Sequence, residues 1–350
     1  MEYSPGLRGV IAGETSISTV GSEGESLSYR GVDAVDLTET HNYEETVSLI
    51  INDSLDSKEF IKNFNFHYSR VCENDFYQRL FLDLREELHP MDIIRTVVSS
   101  SGELQESSPI EQTSRMIALS SYVVAQFMDN DSGSVKGEIQ NQEYLVASSL
   151  IPEEENLDIL KALDDVLILY AEHGFNASTF ACRVSASTRS DLTSSISAGI
   201  GTLKGELHGG ANEEASKLIN SFDSVEEAIT GVKNMLSRKE KIMGFGHGVY
   251  KIKDPRSRIV KEWVEKLSVE DKDLNKFEIA KAIDTTMKEE KDLFPNVDFY
   301  GGLLLELLGF NIELFTPIFV VGRTAGWSAH YFEQREQDTL IRPAAKYIGK

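Results

Sequence analysis

The chain has 350 residues, of which 41% are hydrophobic and 26% charged, with a formal net charge of −22. That length exceeds a single compact core, so one large domain with a second, smaller one is expected. The acidic balance speaks against nucleic acid as a partner, because phosphate contact needs a basic face; no apolar run is long enough to span a bilayer; and two cysteines, Cys72 and Cys182, provide neither a disulfide framework nor metal-ligand spacing.

The opening MEYSPGLRGV has no basic region followed by an apolar stretch, so a secretory leader is not expected and a reducing cytoplasm is the simplest location. From about Gly9 to Arg30 the sequence alternates weakly among turn formers, which suits a small hairpin. Ser108-Pro109-Ile110-Glu111 has a cap, a first-turn proline and a glutamate at the third helical position, which together mark a helix start. The polar run 129–137 (DNDSGSVKG) reads as an exposed loop. Leu157, Leu160, Leu163, Leu167 and Tyr170 recur at steps of three and four, as one helix face requires. Ser224-Val225-Glu226-Glu227 is a second capping signature, and Asp254-Pro255 and Thr316-Pro317 each read as a cap followed by a helix start. Ile259, Trp263 and Leu267, then Ala280, Ile283 and Met287, then Ile318, Val321, Ala325 and Phe332 repeat the helical period. With no βαβ alternation and no internal repeat, the fold class is mainly α, with a small β element at the N-terminus.

Chemistry concentrates in a few glycine-rich segments. Among seven histidines, His173, His208 and His247 sit in segments rich in small or polar residues. His208 precedes two glycines in GELHGGAN, where close approach is allowed and the ring could donate to a carbonyl oxygen; the same pattern also fits a helix C-cap with an incidental histidine. His247 lies among three glycines in MGFGHGVY, which lacks the spacing of a dinucleotide loop and also suits a plain flexible loop. Lys251, Lys253 and Arg256 follow it, and Arg256 falls in the first turn of a helix, which favours an anion. Asp298, between Val297 and Phe299, is either a partly desolvated base or a cap for the next helix. Arg323 interrupts an apolar helix, pointing into a cleft or snorkelling to solvent. Arg342 lies in a tail too short to fold alone, which must dock on something. Met243, Trp327 and the aromatics near Phe315 fit the core. The run Arg238-Lys239-Glu240-Lys241 fits a solvated helix face, although its place before the glycine loop would suit CoA phosphates.

Taken together, LHGGAN (207–212), GFGHGVYKIKDPRSR (244–258), FPNVDFYGG (294–302), ELFTPIF (313–319), GRTAGWSAH (322–330) and LIRP (340–343) resemble the citrate synthase family in order and spacing. GLRGVIAGETSIS (6–18), YRG (29–31), HPMD (89–92) and EHGFNASTFACR (172–183) fit the same family. The resemblance implies a two-domain helical fold, with a large domain over 1–210 and 305–350 and a small one over 211–304, assembled as a homodimer. It implies a Claisen-type condensation of acetyl-CoA with oxaloacetate, followed by hydrolysis to citrate and CoA. His208 would bind the thioester carbonyl, Asp298 would remove the methyl proton, and His247 would polarise the ketone and protonate the alkoxide. His173, Arg256, Arg323 and Arg342 would bind oxaloacetate, with Arg342 reaching in from the other subunit. Lys241, Met243, Gly244, Gly246 and Lys251 would meet CoA. The CoA thioester enters as a co-substrate, and no permanently bound cofactor and no metal are implied.

Five positions depart from the family pattern. Gly174 stands where glutamate is expected, Glu206 where proline is common, Gly248 where arginine is frequent, and Gly301 and Gly322 where serine is usual. Four of the five changes are to glycine. Read as added room near the site, they favour a larger acyl group, so 2-methylcitrate synthesis from propionyl-CoA is the alternative reading. A non-catalytic paralogue that binds metabolite without turnover would be marked by loss of Asp298, His208 or His247, and all three are present. ATP-dependent citrate cleavage would need a nucleotide-grasp module for which this chain has no room.

Overall fold

The computed structural model describes residues 4–7, 9–21, 26–104, 107–129, 135 and 137–349. Most of the run read as an exposed loop, 130–134 and 136, lies outside the described residues.

Near the N-terminus, β1 (Ser18–Val20), β2 (Leu27–Tyr29) and β3 (Val32–Asp33) form an antiparallel sheet in that order. The second hairpin turns through Arg30 and Gly31, both at positive φ, with Tyr29 opposite Val32. Such a two-residue turn matches the strand twist. The third strand extends the hairpin read from the sequence. Its residues are too few to show alternation.

Helices make up most of the remainder. α1 (Ala34–Thr40), α2 (Tyr43–Asn52), α3 (Lys58–Cys72), α4 (Asp75–Leu84), α5 (Pro90–Ser100) and α6 (Pro109–Met128) come first. α7 (Leu145–Leu150), α8 (Leu157–Tyr170), α9 (Ala177–Ser187) and α10 (Leu192–Leu203) follow. α11 (Ala211–Asn220), α12 (Val225–Ser237), α13 (Pro255–Leu267), α14 (Asp271–Lys291) and α15 (Val297–Leu307) pack chiefly on one another. α16 (Phe315–Gln337) returns to the first group and lies against α6, α8, α9 and α10.

The caps behave largely as the sequence implies. Ser108 accepts from the Glu111 N–H, Ser224 from the Glu227 N–H and Asp254 from the Arg256 N–H. The Glu227 carboxylate reaches back past the cap to the Asp223 N–H. Thr316-Pro317 departs from expectation. A 3₁₀ turn at Ile312–Leu314 runs straight into α16, which begins at Phe315, so Pro317 falls within the first turn, where a missing N–H costs nothing. Freed from capping, the Thr316 hydroxyl lies 3.2 Å from the Gly209 carbonyl and also contacts the Glu213 carboxylate.

α16 is buried along most of its length, including Trp327 and Arg323. The Tyr43 hydroxyl, on α2, sits 2.9 Å from the carbonyls of Val321 and Gly322. At the other end, Arg183 of α9 donates to Gln334, Glu333 and Gln337 and to His330 Nδ1. His330 therefore carries its proton on Nε2, which donates to Glu172 at 2.9 Å. Glu172 also accepts from Ser18 of β1. This string of polar contacts fixes the end of α8 between α16 and the sheet. Cys72 and Cys182 are buried and free. Among the described residues no helix is long and apolar enough to cross a membrane.

Gly326 is where α16 crosses the end of α8. A methyl group on it would lie 2.3 Å from Glu172 Oε2 and 2.5 Å from the Ala171 carbonyl. Gly326→Ala is expected to lower stability by about 1–3 kcal/mol, since a close-packed backbone cannot yield cheaply. Urea denaturation checks this, and an unchanged midpoint contradicts it. Gly248→Ala, where nothing lies within 4 Å, is the neutral control.

Candidate active site

The segment that leaves α8 supplies the first group. Gly174 has φ +60° and donates its N–H to Glu172 at 2.5 Å. That backbone conformation accounts for glycine where glutamate was expected. It also turns His173 inward, nearly buried, with Nε2 3.0 Å from the Tyr250 hydroxyl. Burial, with Arg256, Arg323 and His247 nearby, holds the His173 imidazole well below its usual pKa.

His208 sits in the turn between α10 and α11. Its Nε2 accepts the Ser178 N–H at 3.2 Å. A backbone N–H can only donate, so the neutral ring must carry its proton on Nδ1. The Ser178 hydroxyl, 2.8 Å from the same nitrogen, also lies 2.8 Å from Asn176 and receives the Trp327 indole at 3.2 Å. His247 is fixed in the opposite sense. Its Nδ1 accepts from the Val249 and Tyr250 N–H groups at 3.0 and 3.2 Å, which leaves the proton on Nε2. Burial lowers both imidazoles to about 4, helped by Arg323 at His208 and by Arg256 at His247. Both are neutral donors at neutral pH.

Arg256 is on the first turn of α13, as expected, but its guanidinium already has a partner. Nε and Nη2 bond both oxygens of Asp254 at 2.9 and 2.8 Å. Asp254 also accepts the Val297 N–H at 3.0 Å. One carboxylate thus caps α13, holds Arg256 and ties down the start of α15. Although burial opposes its charge, Arg256 keeps Asp254 below the usual carboxylate range. Arg323 projects from α16, donates Nε to the Tyr170 carbonyl at 2.5 Å and lies over the Phe319 ring. Burial lowers it to about 10, so it remains a cation.

Asp298 is on the first turn of α15, where Asn296 performs the capping and so leaves the Asp298 carboxylate free of that role. Burial raises it to about 6, with Arg256 and Arg323 pulling down and Asp254 pushing up. The loop before α13 is laced to the loop before α15. Gly246 donates to the Phe294 carbonyl at 2.8 Å, and Asn296 to the Gly244 carbonyl at 2.9 Å. Gly244, at φ +85°, lies so close to Phe299 that a methyl group would meet its Cβ at 2.9 Å.

The three histidines, Arg256, Arg323 and Asp298 therefore share one cluster, linked through the charges each feels. Gly244 and Gly246 are tied to the segment before Asp298, and Lys251, exposed, acts on His247 and donates to the Gly248 carbonyl. Lys241, exposed, and Met243, half-buried, are not joined to the cluster by any of these contacts. Arg342 is not in the cluster: it is exposed, in irregular backbone beyond α16. Among the described residues no acidic, cysteine or histidine group is arranged to hold a metal ion.

Sequence reasoning missed Ser178, Tyr250 and the full role of Asp254; the D-P-R spacing was the only available signal for the last. It also misread two glycines. A methyl group on Gly301 would lie 2.9 Å from the Tyr170 hydroxyl, and one on Gly322 would lie 3.0 Å from Tyr170 Cβ. At 301 the opened space is taken by the Tyr170 hydroxyl, and at 322 by Tyr170 Cβ and the Leu167 carbonyl, so neither is added room, whereas nothing lies within 4 Å of a methyl group on Gly248. Nothing in the structure explains the glutamate at 206.

Asp298 generates a sign-definite stability prediction. Its folded pKa of about 6 lies above the ordinary 3.8, so the folded state binds more protons between those values. Stability is therefore lost as pH rises through that window. Asp298→Asn is expected to be more stable than wild type by about 2–3 kcal/mol at pH 8, at about 1.4 kcal/mol per unit. The difference should vanish below about pH 4, where both side chains are neutral. Denaturant melts at the two pH values check it; a mutant no more stable at pH 8 refutes it.

Comparison with known proteins agrees with this geometry. A family model described as "Citrate synthase, C-terminal domain" matches residues 6–344. A 2-methylcitrate synthase of Shewanella oneidensis is 38% identical, over 98% of this chain and 94% of its own. A citrate synthase of Haloferax volcanii is 36% identical, over 100% and 96%. Among solved structures, the citrate synthase of Thermoplasma acidophilum, in ternary complex with carboxymethyl coenzyme A and oxaloacetate, superposes with a TM-score of 0.89 at 27% identity, covering 100% of this chain and 97% of that one. The citrate synthase of Thermotoga maritima gives 0.84 at 31% identity, covering 99% and 95%. On sequence, fold and coverage alike, the chain belongs to the citrate synthase family, enzymes that form a carbon–carbon bond from an acyl-CoA.

Proposed function

We propose that this enzyme condenses acetyl-CoA with oxaloacetate and hydrolyses the product to citrate and CoA. The observation that carries the reading is the pairing of two neutral histidines of fixed, opposite tautomer with a desolvated carboxylate. A thioester methyl is a very weak acid, so its proton leaves only if a positioned base acts while a donor meets the developing oxyanion. In this scheme Asp298 takes the methyl proton and His208 Nδ1–H bonds the enolate oxygen. The enolate carbon attacks the oxaloacetate ketone, whose oxygen His247 Nε2–H polarises and then protonates. His173, Arg256 and Arg323 hold the dicarboxylate. For that, Arg256 shares its guanidinium between Asp254 and substrate, and His173 releases Tyr250. Lys241, Lys251 and the loop through Met243, Gly244 and Gly246 receive CoA.

The same proposal includes a large domain over 1–210 and 305–350, with 211–304 as a small domain closing over the site to exclude water. That division agrees with α11–α15 packing chiefly on one another. It includes a homodimer in which the partner's copy of the 340–343 segment brings its arginine to the site, in keeping with the exposed position of Arg342 here. It also includes a cytoplasmic location.

The second reading, 2-methylcitrate synthesis from propionyl-CoA, is favoured by the Shewanella oneidensis relative. Acetyl-CoA is supported by the close packing of the Tyr170 hydroxyl at Gly301 and of Tyr170 Cβ and the Leu167 backbone at Gly322. One methylene shifts preference by only about 1–3 kcal/mol, so the two substrates must be compared directly.

Thiol release from acetyl-CoA and propionyl-CoA, each with oxaloacetate, tests the proposal on wild type beside Asp298→Asn. Faster turnover with acetyl-CoA is expected, falling roughly 10²–10⁴-fold in the mutant. The acid limb of the wild-type pH profile should lie near the Asp298 value of about 6. Preference for propionyl-CoA moves the assignment to the second reading, and no thiol release from either overturns both.

A further inference from the structure

Tyr170 ends α8 and is completely buried. It stacks on Phe319 at 4.2 Å, Gly322 lies against its Cβ, and Arg323 holds its carbonyl. The hydroxyl at the far end is not satisfied in the usual way. It faces the side-chain amide of Asn212, from the LHGGAN segment, but the two close no full hydrogen bond. A buried hydroxyl with an uncommitted proton calls for an explanation.

The place to which that hydroxyl points supplies one. It lies 2.9 Å from where a Gly301 Cβ would stand. Residue 301 is one turn after Asp298 on α15, and side chains on a helix lean toward its N-terminus. The space beside Gly301 is therefore the space beneath the Asp298 carboxylate. Gly302 admits Asn212 in the same way, with its carbonyl 2.4 Å from the corresponding Cβ position. The glycine pair thus lets two polar groups close on α15 just below the base.

We propose that Tyr170 is a positioning residue for Asp298: its hydroxyl proton is directed at the carboxylate, with Asn212 behind it. It provides from α8 the hydroxyl that a serine at 301 would provide from α15. This deepens the functional proposal and rests on it for the role of Asp298. The other groups that face Asp298 are Arg256 on α13, Asp254 at its cap, and Arg323 on α16. Among these charges none is a hydroxyl donor, so the dipole of Tyr170 is distinct in kind. In keeping with that placement, burial raises the phenol above its ordinary range, and Asp298 is the charge that raises it most.

The test compares full-length wild type, Tyr170→Phe, Gly301→Ala and the double variant Tyr170→Phe with Gly301→Ser, by thiol release from pH 5 to 9. Tyr170→Phe is expected to lower kcat roughly tenfold, leave both KM values nearly unchanged, and move the acid limb upward by about one pH unit. The shift is upward because the carboxylate loses a hydroxyl dipole turned toward its charged form. Gly301→Ala, which displaces the hydroxyl without removing it, should move the limb in the same direction. The double variant should bring it back. A fall in kcat with an unmoved acid limb means Tyr170 only packs, and overturns the proposal, as does an unmoved limb in Gly301→Ala if Tyr170→Phe does not fold. If wild type releases no thiol, the functional reading fails separately. Carboxyl NMR titration of Asp298 in wild type and Tyr170→Phe then decides this inference without turnover, an equal pKa in the two overturning it.

Discussion

The carboxylate of Asp254 fixes more of this site than any other single group. It begins α13, neutralises Arg256 and holds the first N–H of α15, and Asp298 is the next residue along. The position of Asp298, the proposed base, is therefore referred to the position of Arg256, the proposed substrate-binding arginine, through one shared acid. A buried ion pair gains little net stability over apolar packing, because desolvation offsets much of the attraction. What Asp254 gives here is geometry: α13 and α15 cannot slide past each other without breaking its bond to the Val297 N–H and leaving that buried donor unsatisfied.

Within that frame the electrostatics follow a consistent pattern. Two buried guanidinium groups, Arg256 and Arg323, stand at the site beside the carboxylates of Asp254, Glu172 and Asp298. Imidazoles placed among them stay neutral chiefly because burial disfavours the charged ring, with repulsion from the arginines adding to it. Neutral histidines have one donor each, and the backbone N–H groups of Ser178, Val249 and Tyr250 determine which nitrogen it is. Orientation and protonation are thus set by the same contacts. The Asp298 carboxylate responds differently: burial outweighs both arginines and leaves it more basic than an ordinary aspartate.

Much of this was legible in the sequence where the signal is local. The caps at Ser108, Ser224 and Asp254, the helical periods and the glycines around His208 and His247 depend on residues a few positions apart. What was not legible depends on pairs far apart in the chain. Asp254 with Val297, Glu172 with His330, and Tyr170 with Gly301 and Gly322 leave no local trace. Thr316-Pro317 shows the limit from the other direction: a local cap signature was overridden because a preceding 3₁₀ turn had already started the helix. Gly301 and Gly322 were read as vacancies because a glycine reveals the absence of its own side chain but not the presence of another's.

That last pair has a consequence for the route by which such a site can change. Tyr170, Gly301 and Gly322 pack together, and their substitutions are coupled to different degrees. A serine at 301 would crowd the Tyr170 hydroxyl, and one at 322 would press on Tyr170 Cβ and the Leu167 backbone. The first conflict sits at the tip of a side chain and is relieved by losing that hydroxyl; the second is met at a Cβ that every residue but glycine has, so only a shift of backbone relieves it. The two glycines are therefore bound to Tyr170 unequally: a change at 301 must be weighed together with one at 170, whereas 322 is held small by the crossing of α16 over α8 itself.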